Sequence, residues 1–216
     1  MDEICYVFKP YYPLLVDLQG KKAVVVGGGK VAERKVISLF ESGAKVTVIS
    51  PDITRELFKL KGKKVFTHIE REYQKGDLKD AFVVIAATSS KTVNQKISQE
   101  APFLVNIVDD PESCNFIVPS VIRRSPLILA ISTQGSSPAF SKTIRKELDQ
   151  LLPTDISTYL QWLNKTRKLV KTKIQTQNKR QELLNKLASS EILKLLRANG
   201  LARALEKAEQ ICQEYF

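Results

Sequence analysis

A glycine-rich turn between an apolar run and a helical pattern constrains the fold of this chain more than any other feature. Residues 23–26 are apolar and predict a buried strand, and the motif Gly27-x-Gly29-x-x-Ala32 follows directly. Apolar residues at helical spacing then continue to Gly43, which is expected to cap a helix. In this context Gly27 permits a tight turn, Gly29 lets the backbone approach a pyrophosphate, and Ala32 lets helix and strand pack closely. The segment is therefore predicted to be a dinucleotide-binding βαβ unit.

Four further apolar runs predict the rest of a sheet. They cover residues 46–49, 65–69, 82–87 and 104–108. Helical patterns separate several of these runs, which is typical of parallel strands covered by helices. The predicted fold class is α/β, with a Rossmann-type parallel sheet.

The second half of the chain has a different pattern. Residues 127–131 predict a strand and residues 141–152 a helix, whereas the chain from Pro153 onward is helical in its spacing, with a break at Asn199-Gly200. We therefore predict three regions. These are a dinucleotide-binding domain at 1–114, a small α+β region at 115–152 and a helical C-terminal domain at 153–216.

The cofactor residues are predicted from the ends of the strands. The second strand runs into Ser50-Pro51-Asp52, where a ribose hydroxyl would bind, and Ala87-Thr88 end a later strand at the same crevice. No arginine stands beside the second strand's end to bind a 2′-phosphate, although Arg55 is one turn away, so NAD is favoured over NADP. The predicted cofactor-binding residues are Gly27, Gly29, Lys30, Val31, Ala32, Ser50, Pro51, Asp52, Ala87 and Thr88.

The net charge of +11 implies an anionic partner, which could be nucleic acid, an acidic membrane surface or a polyanionic small molecule. The start of the chain lacks the pattern of a secretory signal, and no apolar run is long enough to span a bilayer. The cysteines Cys5, Cys114 and Cys212 are scattered, without the spacing of a zinc site. We expect a cytoplasmic protein with free thiols, no membrane association and no bound metal.

Several segments together resemble the precorrin-2 dehydrogenases, a family that includes the N-terminal part of bacterial siroheme synthase and a bifunctional yeast enzyme. They are VVGGGKVAERK at 25–35, AAT at 86–88 with VNQ at 93–95, VNIVD at 105–109, FIVPS at 116–120 and SSP at 136–138. The resemblance spans residues 12–153. It implies an NAD-dependent oxidation of precorrin-2 to sirohydrochlorin, in siroheme synthesis, by a homodimer that interlocks through the region after the nucleotide-binding domain.

The resemblance also places the family's key aspartate at Asp109. A carboxylate at the end of the strand 104–108 would face the ligand crevice and could accept the proton that leaves as hydride passes to the nicotinamide. Asp110 is the alternative, and because neighbours on a strand point to opposite faces, only one of the two is expected to enter the crevice. Polar residues of the loop 132–138 are expected to line the tetrapyrrole pocket. The predicted substrate residues are Asn106, Thr133, Ser136 and Ser137, and the basic candidates for the substrate's eight carboxylates are Arg34, Arg123, Arg124, Lys142 and Arg145.

Two other functions are compatible with the sequence. Some members of the family also insert iron into the product, but the chain has a single histidine, His68, so we expect little ferrochelatase activity. A dinucleotide-sensing regulator that binds nucleic acid would explain both the glycine motif and the charge. The sequence has neither a helix-turn-helix pattern nor a basic stripe with interleaved aromatic residues, so we expect no nucleic-acid partner.

Overall fold

The computed structural model describes residues 11–216, which fall into two compact units. The first unit ends at Val118, and the second spans Pro119–Phe216. Cys5 and the residues on which the absence of a secretory signal was predicted lie outside the described part of the chain.

The first unit is a five-stranded parallel sheet, with helices between all its consecutive strands except β3 and β4. Its elements are β1 (Lys22–Val26), α1 (Lys30–Glu41), β2 (Lys45–Ile49), α2 (Arg55–Gly62), β3 (Thr67–Ile69), β4 (Val83–Ala86), α3 (Lys91–Glu100), β5 (Leu104–Ile107) and a 3-10 turn at Pro111–Ser113. The strand order is β3-β2-β1-β4-β5, and every neighbouring pair is parallel. This is the Rossmann-type α/β fold predicted from the sequence.

The central strands β1 and β4 are buried on both faces of the sheet. All four residues of β4 and four of the five in β1 are buried, because helices cover both faces of a parallel sheet. Val25 and Val36 lie in the cluster on one face, and Val24 and Ile97 lie in the cluster on the other. The sheet's outer strand β3 is shorter than the predicted 65–69, since Val65 donates its N–H to the Leu60 carbonyl at the end of α2.

Helix α1 ends as the sequence predicts. Its C-cap is Ser42, and Gly43 follows with φ of 82°, a left-handed conformation that favours glycine. The N–H groups of Gly43 and Ala44 turn back to the carbonyls of Phe40 and Leu39. This turn leads directly into β2.

The second unit contains a two-stranded antiparallel sheet and four helices. They are β6 (Ser120–Arg124), β7 (Leu127–Ile131), α4 (Pro138–Leu151), α5 (Ile156–Lys173), α6 (Gln177–Leu187) and α7 (Ser190–Gln213). Strand β7 was predicted, whereas β6 was missed, because its last two residues are charged and exposed. Gly200 interrupts α7 with φ of 76°, which confirms the predicted break.

The last three helices share a core of their own. Val170 of α5, Leu183 and Leu187 of α6, and Ile192 and Ala208 of α7 are all buried in it. The Tyr159 hydroxyl donates to the Leu187 carbonyl at 2.8 Å. Within the described residues, the longer helices are too polar to be membrane spans.

Candidate functional site

A cleft of about 750 Å³ opens where β1, β2 and β4 end. Strands β2 and β3 lie on one side of β1, and β4 and β5 lie on the other side. The connections that leave β1 and β4 therefore diverge between these two strands. Open α/β sheets bind their ligands in the crevice that such a divergence creates. The cleft is lined by Val26, Gly27, Gly28, Gly29, Ile49, Ser50, Pro51, Asp52, Ile53, Thr54, Glu72, Tyr73, Ala87, Thr88, Ser89, Ser90 and Val93.

The first two glycines of the turn allow two backbone segments to approach closely. Gly27 has φ of 113° and donates its N–H to the Ile49 carbonyl at 2.9 Å. A Cβ atom on Gly27 would overlap the Ala87 carbonyl oxygen, and one on Gly28 would overlap the carbonyl oxygen of Asp52. Both positions therefore require glycine for the fold itself, before any ligand binds.

Gly29 differs from its two neighbours because a Cβ atom there would meet no atom within 4 Å. It is the N-cap of α1, with ordinary extended backbone angles, and no side chain caps the helix. The two other helices that begin at the cleft are capped by their own side chains, since Thr54 accepts from the Leu57 N–H and Ser90 from the Val93 N–H. The N-terminus of α1 is thus left with backbone N–H groups and a positive dipole end that suit a pyrophosphate.

The loop after β2 is fixed to the glycine turn. The Ser50 hydroxyl donates to the Asp52 carbonyl at 2.7 Å, and the Thr54 N–H donates to the Gly28 carbonyl at 3.0 Å. The Thr54 hydroxyl also donates to the Glu33 carboxylate at 2.6 Å. This bond, with a smaller contribution from Lys30, holds the pKa of Glu33 below its ordinary value. The loop is therefore positioned before a ligand arrives.

The charges at the cleft favour a cofactor without a 2′-phosphate. Its lining includes the carboxylates of Asp52 and Glu72, and among the described residues that line it there is no lysine or arginine. Asp52 is exposed at the end of β2, where a carboxylate can accept hydrogen bonds from ribose hydroxyls. The residues present fit NAD.

On the opposite side of the cleft, the end of β4 is held by a side-chain network. The Ala87 N–H donates to the Val26 carbonyl at 2.8 Å. The Thr88 hydroxyl donates to the Asn94 side-chain oxygen at 2.8 Å, and the Asn94 amide donates to the Thr88 carbonyl at 3.2 Å. The segment that faces the glycine turn is therefore rigidly attached to α3.

Seven of the ten predicted cofactor residues line the cleft: Gly27, Gly29, Ser50, Pro51, Asp52, Ala87 and Thr88. The other three follow in α1. Ala32 is fully buried and packs the helix on the sheet, and Lys30 is exposed and pairs with Glu33 at 3.3 Å. Val31 follows Lys30 and is half-buried.

Sequence reasoning did not single out several lining residues. The run of three glycines could have pointed to Gly28, and the serines before α3 could have pointed to Ser90 as a cap. No local pattern distinguishes Glu72 or Tyr73, which reach the cleft from the irregular segment between β3 and β4.

Asp109 and Asp110 follow β5 in a turn, and not in the extended chain from which their alternation was predicted. Strand β5 ends at Ile107, and Asp109 is exposed with φ of 63°, in a left-handed turn. Asp110 instead caps the 3-10 turn, accepting from the Ser113 hydroxyl at 2.7 Å and from the Ser113 N–H at 3.4 Å. The two carboxylates therefore differ in exposure and hydrogen bonding because the chain turns here, and not because they lie on opposite faces of a strand.

Cys114 connects this turn to the end of β5. Its buried sulfur accepts the Ile107 N–H at 3.0 Å and lies 3.1 Å from the Asp110 carbonyl, to which the thiol can donate. Asn106, a predicted substrate residue, donates its side-chain amide to the Phe116 carbonyl at 3.1 Å. The backbone around Asp109 is therefore held on both sides.

In the second unit, the predicted substrate loop forms the start of α4. The Thr133 hydroxyl exchanges two 3.1 Å hydrogen bonds with the backbone of Ser137, and Ser136 donates its N–H to the Thr133 carbonyl. Ser137 caps α4 and Pro138 is its first residue, as the sequence predicted. Arg124, one of the basic candidates, forms a 2.9 Å ion pair with Asp149.

Comparison with known proteins identifies the chain as an NAD(P)-binding protein. A family model described as putative NAD(P)-binding matches residues 14–120, so the fold and the cleft belong to an NAD(P)-binding protein. The chain is 32% identical over 209 residues to a siroheme synthase of Neisseria meningitidis, covering 95% of the chain and 44% of that protein. It is 35% identical over 200 residues to a siroheme synthase of Photorhabdus laumondii, covering 91% of the chain and 42% of that protein. The chain thus spans less than half the length of these relatives.

A solved structure of SirC, precorrin-2 dehydrogenase, matches the second unit as well as the first. It superposes with a TM-score of 0.77 at 27% identity, covering 94% of the chain and all of that protein. The chain belongs to the precorrin-2 dehydrogenase family.

Proposed function

We propose that the chain catalyses the NAD-dependent dehydrogenation of precorrin-2 to sirohydrochlorin, a step of siroheme synthesis. The observation that carries this proposal is the uncapped N-terminus of α1 at the glycine turn, within a chain that superposes over nearly its whole length on a precorrin-2 dehydrogenase. The relatives named siroheme synthase supply the biosynthetic context.

The first part of the reaction is binding. The N–H groups at the start of α1 would hold the pyrophosphate of NAD, since Gly29 leaves open space in front of them. Asp52 would bind the ribose, and the small residues Ala87 and Thr88 would leave room for the cofactor at the end of β4. When bound, NAD supplies the hydride acceptor.

The second part is removal of a proton. Dehydrogenation takes two hydrogens from the substrate, one as hydride and one as a proton, and a positioned carboxylate can accept the second. We assign this role to Asp109, whose exposed side chain is carried by a turn that Cys114 and Asp110 stabilise. We assign Asn106, Thr133, Ser136 and Ser137 to substrate binding, as the family resemblance implies.

A homodimer is part of the proposal. In the second unit, α4 has one buried residue, Ser141, whereas Phe140 and Leu151 are 60% and 56% exposed. Ile128 on the two-stranded sheet is also exposed. Exposed apolar surface of this kind is characteristic of subunit contacts. We also propose a cytoplasmic location, in keeping with the bacterial siroheme synthases that the chain resembles.

An anaerobic assay with freshly prepared precorrin-2 tests the activity directly. We expect formation of NADH and sirohydrochlorin in equal amounts, and the same rate with or without ferrous iron. Absence of NADH formation by a folded protein that binds NAD would refute the proposed substrate. Iron insertion well above the uncatalysed rate would show that the chain is also a ferrochelatase.

A further inference from the structure

The single histidine of the chain lies behind the loop that follows β2. His68 is the middle residue of β3, and its Nε2 is 2.9 Å from the Ser50 carbonyl oxygen. Its Nδ1 is 3.1 Å from the Nζ of Lys61, on α2. We propose that His68 is a positioning residue for the dinucleotide, acting through Ser50 on the loop that binds the ribose.

The two contacts determine which ring nitrogen carries the proton. A carbonyl oxygen can only accept a hydrogen bond, so Nε2 donates to Ser50. A lysine ammonium can only donate, so Nδ1 accepts from Lys61. Lys61 is in turn 3.7 Å from the Glu70 carboxylate, which orients the ammonium. The two partners, which come from two different elements, therefore select the Nε2–H tautomer of His68.

The contact with Ser50 continues to the glycine turn. The Ser50 hydroxyl donates to the Asp52 carbonyl at 2.7 Å, and that carbonyl lies against Gly28. The Ser50 N–H is bonded to the Ile69 carbonyl, so β3 holds Ser50 through its backbone as well as through His68. Ser50 and Asp52 line the cleft, whereas His68 does not. The imidazole therefore acts on the ligand indirectly, through Ser50.

The loop after β2 is expected to affect binding of the adenosine half of the cofactor and not binding of its pyrophosphate. In this fold the residues after the second strand bind the adenosine ribose, and the start of the first helix binds the pyrophosphate. Loss of the His68 bond should therefore weaken binding of the adenosine half and leave the affinity for inorganic pyrophosphate unchanged. Substitution of a residue that only stabilises the fold would not lower the affinity for one of these two ligands and spare the other.

A matched pair of variants isolates the hydrogen bond. His68→Gln keeps an N–H donor at a similar reach, and His68→Met has the same length without a donor. Because a neutral hydrogen bond contributes about 0.5–1.5 kcal/mol, we expect His68→Met to weaken binding of both NAD and AMP by about 2- to 10-fold. His68→Gln should restore most of this loss. Thr67→Val, on the exposed side of the same strand, is the control and should bind NAD like the parent.

Two measurements keep the result independent of turnover. Calorimetric titration gives the affinities for NAD, AMP and pyrophosphate, and nitrogen NMR of the only imidazole gives its tautomer in the ligand-free protein. A dominant Nδ1–H tautomer, equal affinities for AMP in the parent and His68→Met, or an equal loss for AMP and pyrophosphate would overturn the proposal. The inference rests on the proposed NAD binding, but a parent protein that binds NAD without oxidising precorrin-2 would refute the proposed reaction and leave the role of His68 intact.

Discussion

The three consecutive glycines of the cofactor turn should respond differently to the same substitution. An alanine at Gly28 would place its Cβ atom in overlap with the Asp52 carbonyl oxygen and 2.9 Å from the Ser50 hydroxyl. An alanine at Gly27 meets the Ala87 carbonyl and is also held at φ of 113°. An alanine at Gly29 meets open space at ordinary backbone angles. We therefore expect two positions to affect stability and the third to affect binding.

The magnitudes follow from the kind of strain. Overpacking against a fixed neighbour costs about 1–3 kcal/mol, so Gly28→Ala should lower the free energy of unfolding by roughly that amount. Gly27→Ala adds the cost of an unfavourable φ, another 1–2 kcal/mol or so. Each kcal/mol lowers Tm by about 2–4 °C for a chain of this size. Gly29→Ala introduces neither overlap nor strain and loses only the N-cap preference for glycine over alanine, about 1 kcal/mol, so its Tm should lie within about 4 °C of the parent.

Gly29→Leu then tests the phosphate site in a folded protein. A leucine side chain at the N-cap of α1 would occupy the space in front of the helix N–H groups. Each hydrogen bond to a charged group contributes about 1.5–3 kcal/mol, so loss of two weakens NAD binding by at least about 100-fold. Thermal unfolding followed by circular dichroism and calorimetric titration with NAD provide the two measurements. A Gly28→Ala protein as stable as the parent, or a folded Gly29→Leu protein that binds NAD normally, would refute the reasoning.

Three further predictions concern other parts of the chain. Asp109→Asn should lower the dehydrogenation rate by about 10²–10⁴-fold and leave the NAD affinity, measured by titration, unchanged. Asp110→Asn is the control and should lower the rate only slightly, because asparagine also caps a helical turn. An active Asp109→Asn enzyme would exclude Asp109 as the base. The lowered pKa of Glu33, caused first by the Thr54 hydroxyl, adds stability that is complete above the unfolded value of 4.5 and is lost as pH falls through the folded value. Glu33→Gln should therefore be less stable than the parent at pH 7, and denaturant titrations should show the difference shrinking below pH 4.5; a difference that is independent of pH would contradict this. Phe140→Glu should shift the protein towards monomer in sedimentation velocity, with Lys142→Glu as the control for charge, and an unchanged dimer would exclude this face of α4.

The parallel sheet was predictable because each of its strands, apart from the short β3, is a nearly continuous apolar run. Such runs identify strands that are buried on both faces, and the glycine motif then gives the position of the cleft. Strand β6 was not predictable in the same way, since Arg123 and Arg124 interrupt its apolar pattern at the exposed end. Glu72 and Tyr73 could not be assigned to the cleft because the segment that carries them has no periodic pattern.

The turn around Asp109 shows most clearly what residue types leave undetermined. The apolar run 104–108 continues one residue beyond the strand, so periodicity alone places Asp109 in extended chain. The Val108 N–H still bonds to the Ala86 carbonyl of β4, and the chain then turns because Asp109 is left-handed and the Asp110 N–H returns to the Ile107 carbonyl. Cys114 stabilises this turn by accepting the Ile107 N–H, a contact between positions seven residues apart that no local pattern shows. Aspartate tolerates the left-handed conformation better than most residues, so Asp109 can occupy φ of 63° with its carboxylate exposed. The two aspartates then differ in hydrogen bonding: the Asp110 carboxylate is occupied by Ser113, which supports the proposal that Asp109 and not Asp110 accepts the proton.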